Sequence, residues 1–164
     1  MLFIFGGLPG TGKTELSLHL ARTMGAVHLR IDTIEQALVE AGLTVNGPEG
    51  YLIAYRLAAD NLKLGLPVVA DSVNPLPVTR TAWREVATQA GVPFREIEVI
   101  CSDKAEHRQR VESRPARIAG LKLPTWAEVE ARKYHPWTGE HLVIDTAGQT
   151  PEASKRALER MLEI

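Results

Sequence analysis

The sequence predicts a doubly wound α/β domain, a five-stranded parallel sheet with helices on both faces. Three observations predict it. Short apolar runs alternate with longer helix-periodic stretches along all 164 residues, as when parallel strands are joined by helical crossovers. Leu2-Phe3-Ile4-Phe5 is continuously apolar, which suits a strand buried on both faces. Five strands with their crossovers also use up a chain of this length, with no linker, repeat or low-complexity tract. A single domain over residues 1–164 is expected.

Each element has a local reason. Leu2–Phe5 forms the first strand and glycine follows it. Residues 13–24 carry Leu16, Leu20, Ala21 and Met24 on one side, a helix ended by Gly25. Val27–Ile31 reads as the second strand, and 33–41 as a short helix stopped by Gly42. After a loop at 44–50, a helix over about 49–64 lines up Leu52, Tyr55, Ala59 and Leu62. Val68–Ala70 is the third strand. Two prolines make 72–78 a loop, and the helix at 79–90 ends at Gly91. Phe94–Cys101 alternates as a fourth strand, and 103–113 is a charged helix. Residues 114–124 look irregular. Thr125-Trp126-Ala127-Glu128 is a capping box, which opens a helix running to about Tyr134. His141–Ile144 is the fifth strand. Thr150-Pro151 opens the last helix, with Thr as cap and Pro at the first helical position.

Composition removes several function classes. Hydrophobic residues make up 45% and charged residues 24%, the balance of a globular domain and not of a disordered or fibrous one. The net charge of −1 offers no general attraction to nucleic acid or to an anionic membrane. No apolar run approaches the roughly 20 residues that a spanning helix needs. Met1 opens directly onto a strand without a charged leader, so a cytoplasmic protein is expected. The single cysteine, Cys101, excludes an internal disulfide and a cysteine-based zinc site.

One motif carries the chemistry. Gly7-Leu8-Pro9-Gly10-Thr11-Gly12-Lys13-Thr14 matches G-x-x-x-x-G-K-[ST] in full, after a strand and at the start of a helix. Glycines let the backbone curl closely around phosphate oxygens. The inward-pointing amides and the positive end of the helix dipole then bind the anion. Lys13 supplies a cation for the β and γ phosphates, and Thr14 a hydroxyl for Mg²⁺, which prefers oxygen ligands. ATP and Mg²⁺ are therefore the expected cofactors.

Other residues are candidates by position. Asp71 follows the third strand, where a carboxylate can hold the shell of the metal; a turn-forming Asp is the plainer reading. Asp32 closes the second strand, at the sheet end where such proteins bind ligands. It can accept a proton from a substrate hydroxyl, or it can be an N-cap, since Asp32-Thr33-Ile34-Glu35 has the capping form. The stretch 104–122 holds Lys104, Arg108, Arg110, Arg114, Arg117 and Lys122 against Glu106 and Glu112. Arg108, Arg110 and Glu112 read as a solvated helix face. Arg114 and Arg117 lie past the helix, and they suit a hinged lid over about 114–137 that closes on transferring phosphate. Tyr51, Tyr55, Trp126, Tyr134 and Trp137 are candidates for a pocket wall, core packing being the commoner fate. Asp145-Thr146-Ala147-Gly148-Gln149 mimics a GTPase switch but stands too near the C-terminal end of the chain. Asp145 either lines the base side of the nucleotide pocket or belongs to a plain turn.

In these residues the chain resembles the P-loop small-molecule kinases related to adenylate kinase. It is most similar to the AAA-type chloramphenicol-phosphotransferase-like and zeta-toxin-like members. The resemblance rests on Gly7–Thr14, Asp32–Ala37, Val68–Asp71, Glu112–Gly120 and Ile144-Asp145-Thr146. It implies a three-layer P-loop NTPase fold with sheet order 2-3-1-4-5 and a small helical lid. It also implies Asp32 as base or hydroxyl orienter, Asp71 beside the metal, and lid arginines on phosphate. Glu35 stands where polynucleotide-kinase and zeta-toxin relatives often carry an arginine. The expected activity is transfer of the γ-phosphate of ATP to a hydroxyl of a small molecule. A nucleotide-driven ATPase and a toxin-like regulator stay open as alternatives. A polynucleotide-end kinase is disfavoured by the charge balance.

Overall fold

The computed structural model of the protein describes residues 1–164. Its strands are β1 (Leu2–Gly6), β2 (Val27–Arg30), β3 (Val68–Asp71), β4 (Phe94–Ile100) and β5 (Leu142–Asp145). Its helices are α1 (Lys13–Met24), α2 (Ile31–Glu40), α3 (Glu49–Lys63), α4 (Pro77–Gln89), α5 (Lys104–Ser113), α6 (Trp126–Glu130) and α7 (Pro151–Leu162). The sheet order is β2-β3-β1-β4-β5, and every pair is parallel. This is the order that the resemblance implies.

β1 takes the centre because it is apolar on both faces. Leu2 and Ile4 pack with Ala54, Ala58, Leu62 and Trp83 of α3 and α4. Phe3 and Phe5 point the other way, into Leu16 and Leu20 of α1 and Leu158 of α7, as strand alternation requires. Each such fully buried Leu or Phe side chain stabilises the fold by about 1.5–3 kcal/mol. The carboxyl ends of the five strands lie along one edge of the sheet, and the loops after them build the site.

Three boundaries differ from expectation. α2 begins at Ile31, not Thr33, because β2 ends at Arg30, the register partner of Asp71. α4 starts at Pro77, where the missing N–H of proline costs nothing, so the predicted loop is shorter. α6 keeps its Thr125–Glu128 capping box but stops at Glu130, well short of Tyr134. The chain beyond it is drawn away to pair with β4. The Tyr134 hydroxyl donates to Glu98 at 2.8 Å, and Trp137 Nε1 donates to the Tyr134 hydroxyl at 2.6 Å.

Candidate active site

The turn between β1 and α1 has the geometry of an anion cradle. Gly7, Gly10 and Gly12 hold φ of 143°, 89° and 89°. A Cβ on Gly7 would sit 2.2 Å from the Val99 carbonyl oxygen, and one on Gly10 2.5 Å from Val111 Cγ2. Both positions are therefore closed to other residues. Several loop carbonyls are held from behind. The His107 ring bonds the Pro9 carbonyl at 2.8 Å. The hydroxyl of Thr11 donates to Leu8 O at 3.0 Å, and that of Thr146 to Thr11 O at 2.8 Å. The amides of Gly10, Gly12, Lys13 and Thr14 donate to no protein acceptor. They belong to the loop and first turn of α1 that line a cleft of about 440 Å³.

Below this cradle Lys13 Nζ lies 2.8 Å from Asp71 Oδ1, and the Ser17 hydroxyl donates to Asp71 Oδ2 at 3.1 Å. Asp71 is 1% exposed. Burial alone would push its carboxyl up, but Lys13, His28 and Thr14 together bring it below the usual carboxylate range. Burial also holds the His28 ring below the usual imidazole range, against the pull of Asp71. Lys13 thus rests on a buried carboxylate and borders the cleft.

Asp32 stands across from the cradle, and the capping alternative fails. Arg30, not Asp32, is the N-cap of α2, and no side chain caps this helix. The Asp32 carboxylate projects from the first turn, takes one hydrogen bond from Arg30 Nη2 at 3.1 Å, and lines the cleft. The side chain is 42% exposed, so its remaining lone pairs face open space. Glu35, one turn on, lines the same wall. Burial first, then the charges of Asp32 and Glu49, raises its carboxyl above the usual range.

The predicted lid divides in two. Residues 114–124 supply Arg114, Pro115, Arg117, Leu121, Lys122, Leu123 and Pro124 to the cleft, and Arg132 joins them. Arg117 pairs with Glu15 at 3.0 Å. Arg114 is half-buried and enters no salt bridge, and its Nε is buried without a hydrogen-bond partner. Burial lowers its guanidinium below the ordinary value, while Asp32 acts the other way. The later part, 134–137, is anchored elsewhere. Arg80 donates to the carbonyls of Asn74, Pro75, His135 and Pro136 at 3.0, 3.3, 2.6 and 2.9 Å, with its guanidinium 4.4 Å from the Trp137 ring.

Several sequence readings need correction. Arg108 does pair on the surface with Glu112, but Arg110 is no solvated residue. It lines the cleft and donates to the hydroxyl and carbonyl of Thr146, both at 2.8 Å. Asp145 borders a neighbouring cavity with Gln149, Ser154 and Arg160 rather than this cleft. Its carboxylate accepts from the Ser102 and Ala147 amides at 3.0 Å each, which ties the loops after β4 and β5 together. None of Tyr51, Tyr55, Trp126, Tyr134 and Trp137 lines the cleft either. Tyr55 stacks edge-on against Trp83 at 4.6 Å, and Trp126 against His107 at 5.2 Å. Arg30 and Arg132 were missed. They lie far from any motif, and only the fold brings them to the cleft.

A family model described as "AAA domain" matches residues 2–133. The chain belongs to this family. The match spans the cradle, Asp32, Asp71 and the lid arginines, so the AAA domain here is of the P-loop, kinase-like kind. A curated relative from Aeropyrum pernix, named "Probable adenylyl-sulfate kinase", is 28% identical over 166 residues, covering 89% of this chain and 83% of its own. The fold is shared with the APS kinase CysC of Mycobacterium tuberculosis, solved with AMPPNP and APS. That structure has a TM-score of 0.69 and 20% identity, covering 99% of this chain and 97% of that one. A gluconokinase from Sinorhizobium meliloti superposes with a TM-score of 0.66 at 16% identity, covering 98% and 93%. No helix of this AAA domain is long and apolar enough to cross a membrane.

Proposed function

We propose that this protein is an ATP- and Mg²⁺-dependent phosphotransferase that moves the γ-phosphoryl group to a hydroxyl of a small-molecule acceptor. One observation carries the reading: a carboxylate free of any capping duty, Asp32, shares one cleft with the amide cradle and Lys13. The kinase relatives support the same assignment.

The steps follow from the residues. ATP lays its triphosphate on the amides of Gly7–Thr14, and Lys13 leaves Asp71 for the β and γ phosphates. The acceptor oxygen forms a bond to the γ-phosphorus as the bond to the β–γ bridging oxygen breaks. ADP leaves, and the hydroxyl proton passes to the Asp32 carboxylate. Arg114 and Arg117 spread over the equatorial oxygens, where charge builds in the transition state. Closure of 114–124 excludes water and suppresses hydrolysis. The donors present fit a hard cation: the Thr14 hydroxyl borders the cleft, and the Asp71 carboxylate lies beneath it for the water shell of the ion. When bound, Mg²⁺ neutralises phosphate charge there.

The test is a screen of hydroxyl compounds for transfer of labelled γ-phosphate, run beside Asp32→Asn. Transfer should appear with at least one acceptor and fall about 10²–10⁴-fold in the variant. Stability should change by no more than about 0.2–1 kcal/mol, the worth of a part-exposed ion pair. If nothing accepts phosphate and Asp32→Asn hydrolyses ATP at the wild-type rate, the kinase reading fails.

A further inference from the structure

The charges on the cleft wall are unequal, and their distribution is informative. Of its cations, Lys13 pairs with Asp71, Arg30 with Asp32, Arg110 with Glu106 and Arg117 with Glu15, whereas Arg114, Lys122 and Arg132 have no carboxylate partner. A nucleoside triphosphate with one Mg²⁺ keeps about two negative charges. A neutral acceptor would leave the half-buried Arg114 guanidinium without a counter-ion when the cleft closes, which is costly.

These cations are not alike. Lys13 and Arg110 belong to the cradle side, Lys13 on Asp71 and Arg110 on Glu106 and Thr146. Arg117 is held by Glu15. Arg30 and Arg114 are different. Both border the cleft beside Asp32, and both have a buried Nε–H with no hydrogen-bond acceptor. Buried donors of this kind are rare in native proteins unless a water, an ion or a ligand completes them. The fork of a guanidinium is matched to the oxygens of carboxylate, phosphate or sulfate. Asp32 offers Arg30 one oxygen at 3.1 Å and leaves Nε unserved, since the nearest Asp71 oxygen is 3.9 Å away.

We propose that the acceptor is an anion: it carries a carboxylate, phosphate or sulfate group near its reactive hydroxyl, and Arg30 and Arg114 bind that group beside Asp32. This rests on the phosphotransferase reading and deepens it. The same wall rejects neutral alcohols, because only an anion offsets the desolvation of the two arginines when 114–124 closes. Glu35 sets the far limit of the subsite, where a second anionic group would meet a carboxylate.

The experiment is calorimetry on protein saturated with AMPPNP and Mg²⁺, titrated with two matched pairs: gluconate against glucose, and ribose 5-phosphate against ribose. At least one anionic member should bind about tenfold or more tightly than its neutral partner, since charge-assisted bonds are the strong ones. The pair that shows the preference separates a carboxylate from a phosphate source. Arg30→Gln should remove the preference and Arg30→Lys should keep part of it, with urea denaturation showing that each variant is folded. Equal binding of both members in each pair, binding of none of the four, or a preference that survives Arg30→Gln overturns the inference. A protein that does not take up AMPPNP sinks the phosphotransferase reading instead. The four titrations, repeated without nucleotide, then judge the anion subsite alone.

Discussion

Arg80→Lys should loosen the strap that follows the lid. Arg80 is 3% exposed and bonds four carbonyl oxygens, two in the loop after β3 and two in the segment 135–136. A lysine keeps the charge but has three donors and no planar fork. Its one nitrogen cannot reach both sides of this arrangement, so at least two carbonyls lose their partner. An acceptor stranded away from water costs about 1–3 kcal/mol, with the part-buried Pro75, His135 and Pro136 carbonyls toward the lower end. Loss of the guanidinium over Trp137, at 4.4 Å, adds about 0.5–2 kcal/mol. The expected loss is about 2.5–8 kcal/mol, a large share of the roughly 5–15 kcal/mol that holds a domain together. Urea denaturation followed by tryptophan emission measures it, and limited proteolysis should show new cleavage within 131–141. A lysine variant within about 1 kcal/mol of wild type, with an unchanged digestion pattern, would show that the strap is held by something other than this guanidinium.

Three further outcomes follow from the same structure. In Lys13→Met, Asp71 loses the cation that offsets its burial. The native carboxyl, held below its ordinary value of 3.8, stabilises the fold above that pH and loses its effect as pH falls through the lowered value. Without Lys13 burial dominates, so acid unfolding followed by circular dichroism should begin at a higher pH than in wild type. Thr146→Val removes the hydroxyl that bonds Thr11 O at 2.8 Å and receives Arg110. It should cost about 1–3 kcal/mol in urea and weaken AMPPNP binding. Gly6→Ala puts a Cβ 2.2 Å from Trp137 Cζ2. Overpacking there should cost about 1–3 kcal/mol, unless the indole moves out freely, in which case the melting temperature stays put.

What the residues encode locally was legible before any coordinates. The P-loop is eight consecutive residues whose glycines, lysine and threonine act through their immediate neighbours, so pattern alone located the cradle. β1 and β3 declared themselves by apolar runs and β4 by alternation, and the Thr125 and Thr150 caps by contiguous side-chain chemistry. Asp32 and Glu35 sit in a contiguous capping pattern too, yet there the local signal misled. Where α2 starts depends on how far β2 pairs with β3, and that is a contact between distant segments.

The sequence by itself determined the class of fold, the triphosphate cradle and most of the polar groups that attend it, because each is written in residues adjacent along the chain. The tertiary structure alone decided which charges meet. It brought Arg30, Arg110 and Arg132 to the cleft, turned Asp145 to its neighbouring loops, and drew Tyr134 and Trp137 toward β4 and Arg80. The physical reason is that a charged or aromatic side chain reads the same at any surface position. Its role is set by the partner that folding places within a few ångströms, and no local pattern records that partner.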